Sequence, residues 1–589
     1  MIEKKFIKFC NFVLLKLIQM KTKTLLLLLF FSASIIAQKN QTELNKALKQ
    51  LKQYNDVYFK FKIKNKTDLQ TLPKFISIDS RNGKLIKAYV PKKYFQKLLD
   101  LHIPFEVIDK TSSKSLSMAT TVSQMQNWDK YPTYDVYVQM MQNFATNYPN
   151  ITQLDTIGYS QNNRLILALK ITDNPNADED EPAFFYSAQM HGDELIGQIV
   201  MLRLIDYLLS SYTTNNSIKK LVNNIEIWIN PLANPDGLYA GGNQTVANAT
   251  RYFSNSVDPN RNFPGISDPH PDGEAYTQET NDMIQFMETH HFNLSANLHS
   301  GAEVVNFPWD EWDSSTNAHA DHAWWVMVAS DYANMAKSNS PYGYFQDVTT
   351  SGITEGGDWY IVQGGRQDYM TYHKHGREMT LELSSSKMLD AEDLPDYWEY
   401  NYRSLLNYMQ QSLYGLRGII TDSETGEPIV AKIEIQGHDK DNSFVYSDLP
   451  IGNYHRYLKN GSYNVTYSKN NYYSQTYNVT ITNNHTTIQN IALVPINADI
   501  NELTKNDILK IYPNPINSDT DLHVKIQKNI SQLKIGVFNM LGEQLYNITK
   551  NDLQENDLFV IETTGLSKGM YILNIYAGNQ HTYQKLIIN

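Results

Sequence analysis

The sequence has one cysteine, Cys10, among 589 residues. A single cysteine cannot form an intramolecular disulfide, so a disulfide-stabilised fold and a zinc site built from thiolates are both excluded. Basic residues are also fewer than acidic ones: 51 Lys and Arg against 62 Asp and Glu, which gives a formal net charge of -11. A protein that binds nucleic acid through a basic surface is therefore disfavoured.

Long hydrophobic runs are scarce as well. The apolar run at residues 25–31 is too short to span a bilayer, and no later stretch approaches about 20 apolar residues. The run follows two lysines and ends near small residues at Ala37, which is typical of a secretory signal. We predict a signal peptide over residues 1–37 and an exported, soluble mature protein. The long stretch before Met20 leaves open whether the chain starts at Met1 or at Met20.

The length favours several domains, since one domain takes about 150 residues. Residues 38–118 combine strand-like alternation with one helical stripe, which predicts a small α+β unit, and the polar linker at 110–122 would be easily cut. Residues 119–412 alternate helices and strands, which predicts an α/β domain with a mostly parallel or mixed central sheet. Helical periodicity then disappears, and residues 413–495 and 508–589 predict two β-sandwich domains.

Three side chains in the central region could hold a metal ion. His191 and Glu194 lie three residues apart where a helical pattern begins, so an imidazole and a carboxylate can converge on one point. His299 ends a predicted strand and would supply a second nitrogen. Two nitrogens and one carboxylate leave a coordination position for water, as in catalytic zinc sites. A His-x-x-Glu pair alone is more often a surface coincidence, so this interpretation depends on the rest of the chain.

A fourth polar group stands on a strand between apolar neighbours. Met379, Leu381 and Leu383 fall on one face of this predicted strand, and Glu382 points to the other face. A carboxylate in that position could act as the general base for a zinc-activated water.

In residue identity and spacing, the region from 125 to 412 closely resembles the zinc metallocarboxypeptidases. The resemblance implies one zinc ion held by His191, Glu194 and His299, with Glu382 as the catalytic glutamate. It implies four further roles: Arg251 polarises the scissile carbonyl, Asn260 and Arg261 hold the substrate's terminal carboxylate, Tyr360 closes over the substrate, and Asp258 orients His191. An arginine is suited to the carboxylate because its planar donor fork can bind both oxygens.

Within that family the chain resembles the carboxypeptidase N and E subfamily, through residues 297–302, 307–310 and 364–369. Members of this subfamily carry a transthyretin-like β-sandwich after the catalytic domain, and residues 413–495 resemble it. The resemblance implies a role in folding or interaction for that domain and names no active residue in it.

The subfamily resemblance also implies a preference for C-terminal Lys or Arg. Its acidic specificity residue corresponds to Asp310, and the partner glutamine corresponds to Gln367. Two other interpretations remain open. Asp310 could merely cap an exposed rim loop, and the neighbouring cation Arg366 could turn into the pocket and repel basic substrates.

Residues 508–589 resemble the C-terminal sorting domain of the Bacteroidetes type IX secretion system, through motifs at 511–515, 538–542 and 566–571. This resemblance implies the type IX machinery as a partner and export through the periplasm to the cell surface or the medium. The alternative is a generic β-sandwich or a carbohydrate-binding module.

Together these observations predict a secreted, multidomain zinc metallocarboxypeptidase that acts on peptide or protein C-termini. Residues 38–118 would be a pro-segment that inhibits the enzyme or assists its folding. One rival interpretation is a related zinc hydrolase that acts on peptidoglycan peptides or acyl-amino acids. Another is a binding or adhesin protein with a dead peptidase domain.

Overall fold

A computed structural model of the chain describes residues 41–63, 72, 75–110, 116–496, 508–517, 520–540, 543–577 and 580–589. The predicted signal peptide and both candidate start residues lie outside this described part, as does the middle of the 110–122 linker. Every helix within the described part is too short or too polar to cross a membrane. The chain divides into two compact units. The first contains the described residues up to Lys469 with Ser474–Leu493, and the second contains Asn470–Tyr473 with those from Val494 onwards.

The N-terminal segment is a small α+β unit, as the sequence predicts. A helix over residues 41–54 precedes one antiparallel sheet, and Val57, Phe59 and Phe61 are at most 3% exposed on one face of the first strand. The sheet has the order β2-β3-β1-β4, with β1 (Asp56–Lys62), β2 (Ser77–Asn82), β3 (Leu85–Pro91) and β4 (Phe105–Val107). A short 3-10 turn, Lys92–Tyr94, and the helix Phe95–Asp100 connect β3 to β4.

The central region contains an eight-stranded mixed sheet, which confirms the predicted α/β class. A short parallel pair, β5 (Met118–Ala119) and β6 (Tyr131–Pro132), precedes it. The sheet strands are β7 (Thr152–Tyr159), β8 (Leu165–Ile171), β9 (Ala183–Ala188), β10 (Glu226–Asn230), β11 (Leu294–His299), β12 (Ala302–Phe307), β13 (Ile353–Glu355) and β14 (Arg377–Ser384), in the order β13-β12-β14-β11-β9-β10-β8-β7. The middle four strands, β14, β11, β9 and β10, run parallel. Their carboxyl ends therefore meet at one edge of the sheet.

Helices cover both faces of this sheet, which explains why β9 reads as the nearly continuous apolar run AFFYSA. One face packs against four long helices: Tyr134–Asn147, Ile196–Ser211, His322–Ser338 and Leu394–Gln410. The helix Gln278–His290 covers the other face, where Phe286 packs against Phe185 and Trp228. The shorter helical segments are Val122–Met125, Asn216–Val222, Pro235–Leu238, Pro259–Arg261, Ser314–Asn317, Gly356–Trp359, Arg366–Asp368, Tyr369–His373, Ala391–Asp393 and Gln411–Leu413.

The region after the last long helix is built from strands, as predicted. They are β15 (Gly415–Asp422), β16 (Lys432–Ile435), β17 (Val445–Tyr446), β18 (Asn453–Arg456), β19 (Gly461–Ser468), β20 (Tyr472–Tyr473), β21 (Gln475–Ile481), β22 (Thr486–Ile488) and β23 (Ile491–Pro495). One sheet contains β18, β15 and β23, with β22 also paired to β15. A second sheet has the order β17-β16-β19-β21.

The second unit contains two antiparallel sheets and an apolar core of its own. Its strands are β24 (Leu509–Tyr512), β25 (Leu522–Ile526), β26 (Ile530–Phe538), β27 (Gln544–Leu553), β28 (Leu558–Ile561), β29 (Gly569–Ala577) and β30 (Gln580–Ile588). The sheet orders are β24-β25-β28 and β27-β26-β29-β30. Alternate residues such as Leu533, Ile535 and Val537 point inward and are at most 1% exposed, so the core follows the period of two in the sequence.

Candidate metal centre and substrate pocket

Three predicted metal ligands converge at the carboxyl edge of the central sheet. His191 and Glu194 lie in the turn between β9 and the helix Ile196–Ser211, and His299 is the last residue of β11. His191 Nδ1 lies 3.0 Å from His299 Nδ1 and 3.0 Å from Glu194 Oε1, and His299 Nδ1 lies 2.8 Å from Glu194 Oε2. These separations approach the donor spacing of a tetrahedral site with metal bonds of about 2.0–2.1 Å.

The protonation states of these groups suit a metal site. Burial lowers the pKa of His299 to about 4, so the imidazole is neutral, as a ligand must be. Burial alone would raise the pKa of Glu194, but the charges of His191 and Lys387 hold it well below its usual value. The donor set of two imidazole nitrogens and one ionised carboxylate therefore fits a zinc ion with an open position.

A further layer of polar groups holds the three donors. Asp258 Oδ1 lies 3.1 Å from His191 Nε2, so the carboxylate that was expected to orient His191 is in contact with it. Arg251 donates to Asp258 Oδ2 at 3.0 Å and to Glu194 Oε1 at 3.3 Å. The side-chain amide of Asn297 lies 2.8 Å from His299 Nε2 and fixes that ring from behind.

Glu382 lies next to this centre, on β14. Met379, Leu381 and Leu383 are fully buried on the opposite face of the strand, as the alternation predicts. Among the described residues, Glu382 Oε2 is buried without a hydrogen-bond partner. Burial, followed by the nearby charge of Glu194, raises the pKa of Glu382 well above its usual value. A carboxylate with a raised pKa and an open acceptor atom is suited to proton transfer.

Asn260 and Arg261 lie together in the short turn Pro259–Arg261, which begins at Asp258. Arg261 Nη1 donates to the Asn260 carbonyl at 2.7 Å, and Arg261 Nε is buried without a partner in the described part of the chain. The Asn260 side chain accepts from the Arg366 backbone N–H at 3.0 Å. A guanidinium with an unused buried donor can bind a carboxylate.

Asp310 and Gln367 are in direct contact, although 57 residues separate them in the sequence. Asp310 Oδ1 accepts from Gln367 Nε2 at 3.0 Å and from Asn306 Nδ2 at 3.1 Å. Burial raises the pKa of Asp310 to about 6, although the Asn306 hydrogen bond and the charge of Arg261 act to lower it. Asp310 is only 3% exposed, which does not match a cap on an exposed rim loop.

The Arg366 side chain pairs with Glu378 instead of Asp310. Its guanidinium is fully buried and donates to both oxygens of Glu378, from Nε at 3.0 Å and from Nη2 at 3.1 Å. The cation next to Gln367 in the sequence is therefore paired with Glu378 and leaves the charge of Asp310 available.

Tyr360 is half-buried and packs against the apolar core of the N-terminal unit. Its electrostatic neighbours include Arg261, Glu382 and Arg251, so it lies near the predicted substrate groups. Among the described residues, however, it makes no hydrogen bond to the metal donors.

Sequence reasoning missed Lys387. Its ammonium group lies 2.7 Å from Glu194 Oε1 and 2.8 Å from Asp79 Oδ1 of the N-terminal unit, and its side chain is 11% exposed. The available signal was its position in the run Ser384–Ser385–Ser386–Lys387, directly after the strand that carries Glu382.

A second group of potential metal donors serves a different purpose. Asp321, His438 and Asp439 bring donor atoms close together, but Asp321 already accepts from two arginines. Arg377 donates to Asp321 Oδ2 at 2.8 and 3.0 Å, and Arg456 donates to both of its oxygens at 2.7 and 2.9 Å. The Asp321 charge is therefore neutralised, and the cluster joins the central region to the β-rich region.

Comparison with known proteins agrees with this geometry. The zinc carboxypeptidase family profile matches residues 137–404. Carboxypeptidase M of Mus musculus is 34% identical over 346 residues, covering 55% of this chain and 75% of that protein. The chain belongs to the zinc carboxypeptidase family. The carboxypeptidase N catalytic chain of Rattus norvegicus is 30% identical over 388 residues, covering 60% of this chain and 83% of that protein.

Other members of the zinc carboxypeptidase family are longer. Carboxypeptidase D of Homo sapiens is 33% identical over 395 residues, covering 64% of this chain and 27% of that protein. The match therefore spans about a quarter of the length of that relative. Zinc is the metal of this family, and His191, Glu194 and His299 form the matching donor set.

The C-terminal region matches a second family. The secretion system C-terminal sorting domain profile covers residues 510–589, which agrees with the predicted sorting domain. These residues all fall within the second structural unit.

Proposed function

We propose that the protein is an exported zinc carboxypeptidase that hydrolyses the C-terminal peptide bond of peptides and prefers C-terminal Lys or Arg. One observation carries the proposal: the donors His191, Glu194 and His299 converge on one point, with Glu382 beside them and a free acceptor atom on its side chain. Endopeptidase activity is disfavoured because the site also includes groups suited to a free carboxylate.

Each proposed step is assigned to a side chain near the metal centre. A zinc ion bound there would supply Lewis-acid chemistry, lowering the pKa of water and polarising the scissile carbonyl. Glu382 takes a proton from the attacking water and delivers it to the leaving amine. Arg251, which is held by Asp258, offers positive charge to the oxygen that becomes negative in the transition state.

Recognition of the terminal residue would use two groups close to Gly365. A Cβ atom at Gly365 would lie 3.4 Å from Asp310 Oδ2 and 3.5 Å from Asn260 Oδ1, so both side chains lie near the glycine. Asn260 and Arg261 would bind the α-carboxylate, and Asp310 would pair with the substrate ammonium or guanidinium. Tyr360 would close over the bound residue.

The N-terminal residues 38–118 are proposed to be an inhibitory pro-segment. Asp79 forms an ion pair with Lys387, which also contacts the metal ligand Glu194. The ring of Tyr89 lies beneath two cations, with its centroid 5.8 Å from Arg251 and 5.0 Å from Lys387. These contacts with Lys387 and Arg251 support the proposal that the segment competes with a peptide substrate at the metal centre.

The two C-terminal parts would not contribute catalytic groups. Residues 413–495 are proposed to be a transthyretin-like domain that supports the catalytic domain at 119–412. Residues 508–589 would direct the chain to the type IX secretion machinery, and from there to the cell surface or the medium. The match to a sorting domain supports this destination.

One assay tests the proposal against its rivals. The full chain, before and after cutting in the 110–122 linker, is incubated with L-peptides that end in Arg, Lys, Leu or Phe, with and without a zinc chelator. Chelator-sensitive release of a free terminal residue, fastest for Arg and Lys, is the expected result. Activity only on peptidoglycan peptides or acyl-amino acids would favour a related hydrolase, and purified protein without zinc would favour a binding protein.

A further inference from the structure

The loop that carries Asp310 is fastened to the short helix Arg366–Asp368. The Asp310 backbone N–H donates to Asp368 Oδ1 at 3.0 Å and to Oδ2 at 3.1 Å, and the Glu311 N–H donates to Oδ2 at 2.9 Å. Asp368 is 2% exposed, so both of its oxygens are committed to this loop inside the protein. The Asp310 carbonyl in turn accepts from the Val362 N–H at 3.0 Å.

The same short helix also holds the Asp310 side chain. Gln367, the residue before Asp368, donates to Asp310 Oδ1. On the other side the carboxylate rests against the backbone of Gly356, where a Cβ atom would lie only 1.7 Å from Asp310 Oδ1. Asp368 therefore holds the backbone of Asp310 and Gln367 holds its carboxylate. Gly356 has no side chain that would clash with this carboxylate.

A carboxylate at position 368 needs an explanation, because it lies close to the Asp310 carboxylate and two negative charges would repel each other. Burial, followed by the charge of Asp310, raises the pKa of Asp368 well above its usual value. The adjacent cation Arg366 does not compensate, since it pairs with Glu378. A carboxylate at this position has two acceptor oxygens, which receive the two backbone N–H groups. An asparagine would instead turn its NH₂ group towards one of these N–H groups.

We propose that Asp368 is a positioning residue that fixes the Asp310 carboxylate for a basic side chain of the substrate, an inference that rests on the Lys/Arg preference proposed above. Asp368 does not touch the substrate and acts through the backbone of Asp310 and Glu311. Its loss should therefore weaken recognition of terminal Arg and leave the chemistry at the metal centre unchanged. The ratio of kcat/KM for substrates with a terminal Arg or a terminal Leu therefore measures this role.

The experiment compares Asp368→Asn with the wild-type chain on two blocked dipeptides that differ only in a terminal Arg or Leu. The assay is run at pH 8, about two units above the pKa of Asp310, so that Asp310 stays ionised in the wild-type chain and in the variant even if the substitution lowers its pKa. We expect the Arg-to-Leu ratio of kcat/KM to fall about tenfold or more, through KM for the Arg substrate. The kcat for the Leu substrate and the zinc content should stay unchanged.

Asp358→Asn is a matched control, because Asp358 also binds a backbone N–H, that of Ser314 at 2.9 Å, but at the exposed surface. This control should keep the wild-type ratio. Asp368→Glu, which keeps the charge and shifts the oxygens by one methylene group, should also lower the ratio. An unchanged ratio in folded, zinc-containing Asp368→Asn and Asp368→Glu would overturn the inference. A wild-type chain that does not prefer Arg would instead overturn the specificity on which the inference rests.

Discussion

His299 and Glu382 occupy opposite register positions on the neighbouring parallel strands β11 and β14. One strand thus places a metal donor and the other places the proposed base at the same height on one sheet edge. The pairing of these strands sets the distance between the donor His299 and the proposed base Glu382, and hydrogen bonds along the ladder support it. The two side chains nevertheless have different proposed tasks, and substitution can separate them.

Glu382→Gln should keep its zinc and lose about 100- to 10,000-fold in kcat, because the amide keeps the shape of the side chain and cannot accept the proton. His299→Ala should lose the metal itself, since one of three protein donors is removed. Metal analysis of the purified variants and single-turnover peptide release check both expectations. Equal zinc loss in the two variants would contradict the assigned roles.

The preference for basic terminal residues should depend on pH. The pKa of Asp310 is raised to about 6, so its carboxylate is ionised at pH 8 and largely protonated at pH 5. Because only the ionised form attracts a substrate cation, the Arg-to-Leu ratio of kcat/KM should fall about tenfold between pH 8 and pH 5. Asp310→Asn serves as the control, and its ratio should be low and independent of pH. A wild-type ratio that stays constant over this range would argue against a role for Asp310.

Cutting the 110–122 linker should raise activity if the N-terminal unit inhibits the enzyme. Asp79→Asn should raise the activity of the uncut chain about tenfold, because loss of the ion pair with Lys387 weakens docking by about 1.4 kcal/mol or more. Asp100→Asn is the control, since the Asp100 side chain accepts a hydrogen bond from Gln96 of its own helix, at the exposed surface. Identical kinetics for cut and uncut chains would leave the segment without an inhibitory role.

Deletion of residues 508–589 should affect location without affecting catalysis. The deleted part lies in a unit with its own apolar core, and the three metal donors His191, Glu194 and His299 belong to the first unit. Peptidase activity should therefore persist in a cell lysate and accumulate in the periplasmic fraction. Activity assays on culture medium, cell surface and periplasm test this expectation, and normal export of the shortened chain would refute it.

The sequence predicted local features well and long-range contacts poorly. Alternation was enough to turn Glu382 away from Met379 and Leu381, because strand geometry fixes the face of each side chain. Family spacing pointed to Asp310 and Gln367, but it could not show that Asp368 binds the backbone of the loop that carries Asp310. Lys387 was missed because its partners Asp79 and Glu194 are brought to it only by tertiary packing. The sequence also could not show whether the Arg366 side chain turns towards Asp310, because its partner Glu378 lies on a strand that only the fold brings next to it.

The cluster around Asp321 has a consequence for how the chain comes apart. Arg377 begins the strand that carries Glu382, and Arg456 belongs to the β-rich region, yet both neutralise the same buried carboxylate. Losing one partner of such a network costs about 3–5 kcal/mol, a large share of the stability of a typical domain. The regions on either side of residue 413 therefore differ in sequence pattern, but their stabilities are coupled. The two regions should melt in a single calorimetric transition, and a shortened chain that ends there would be the less stable one.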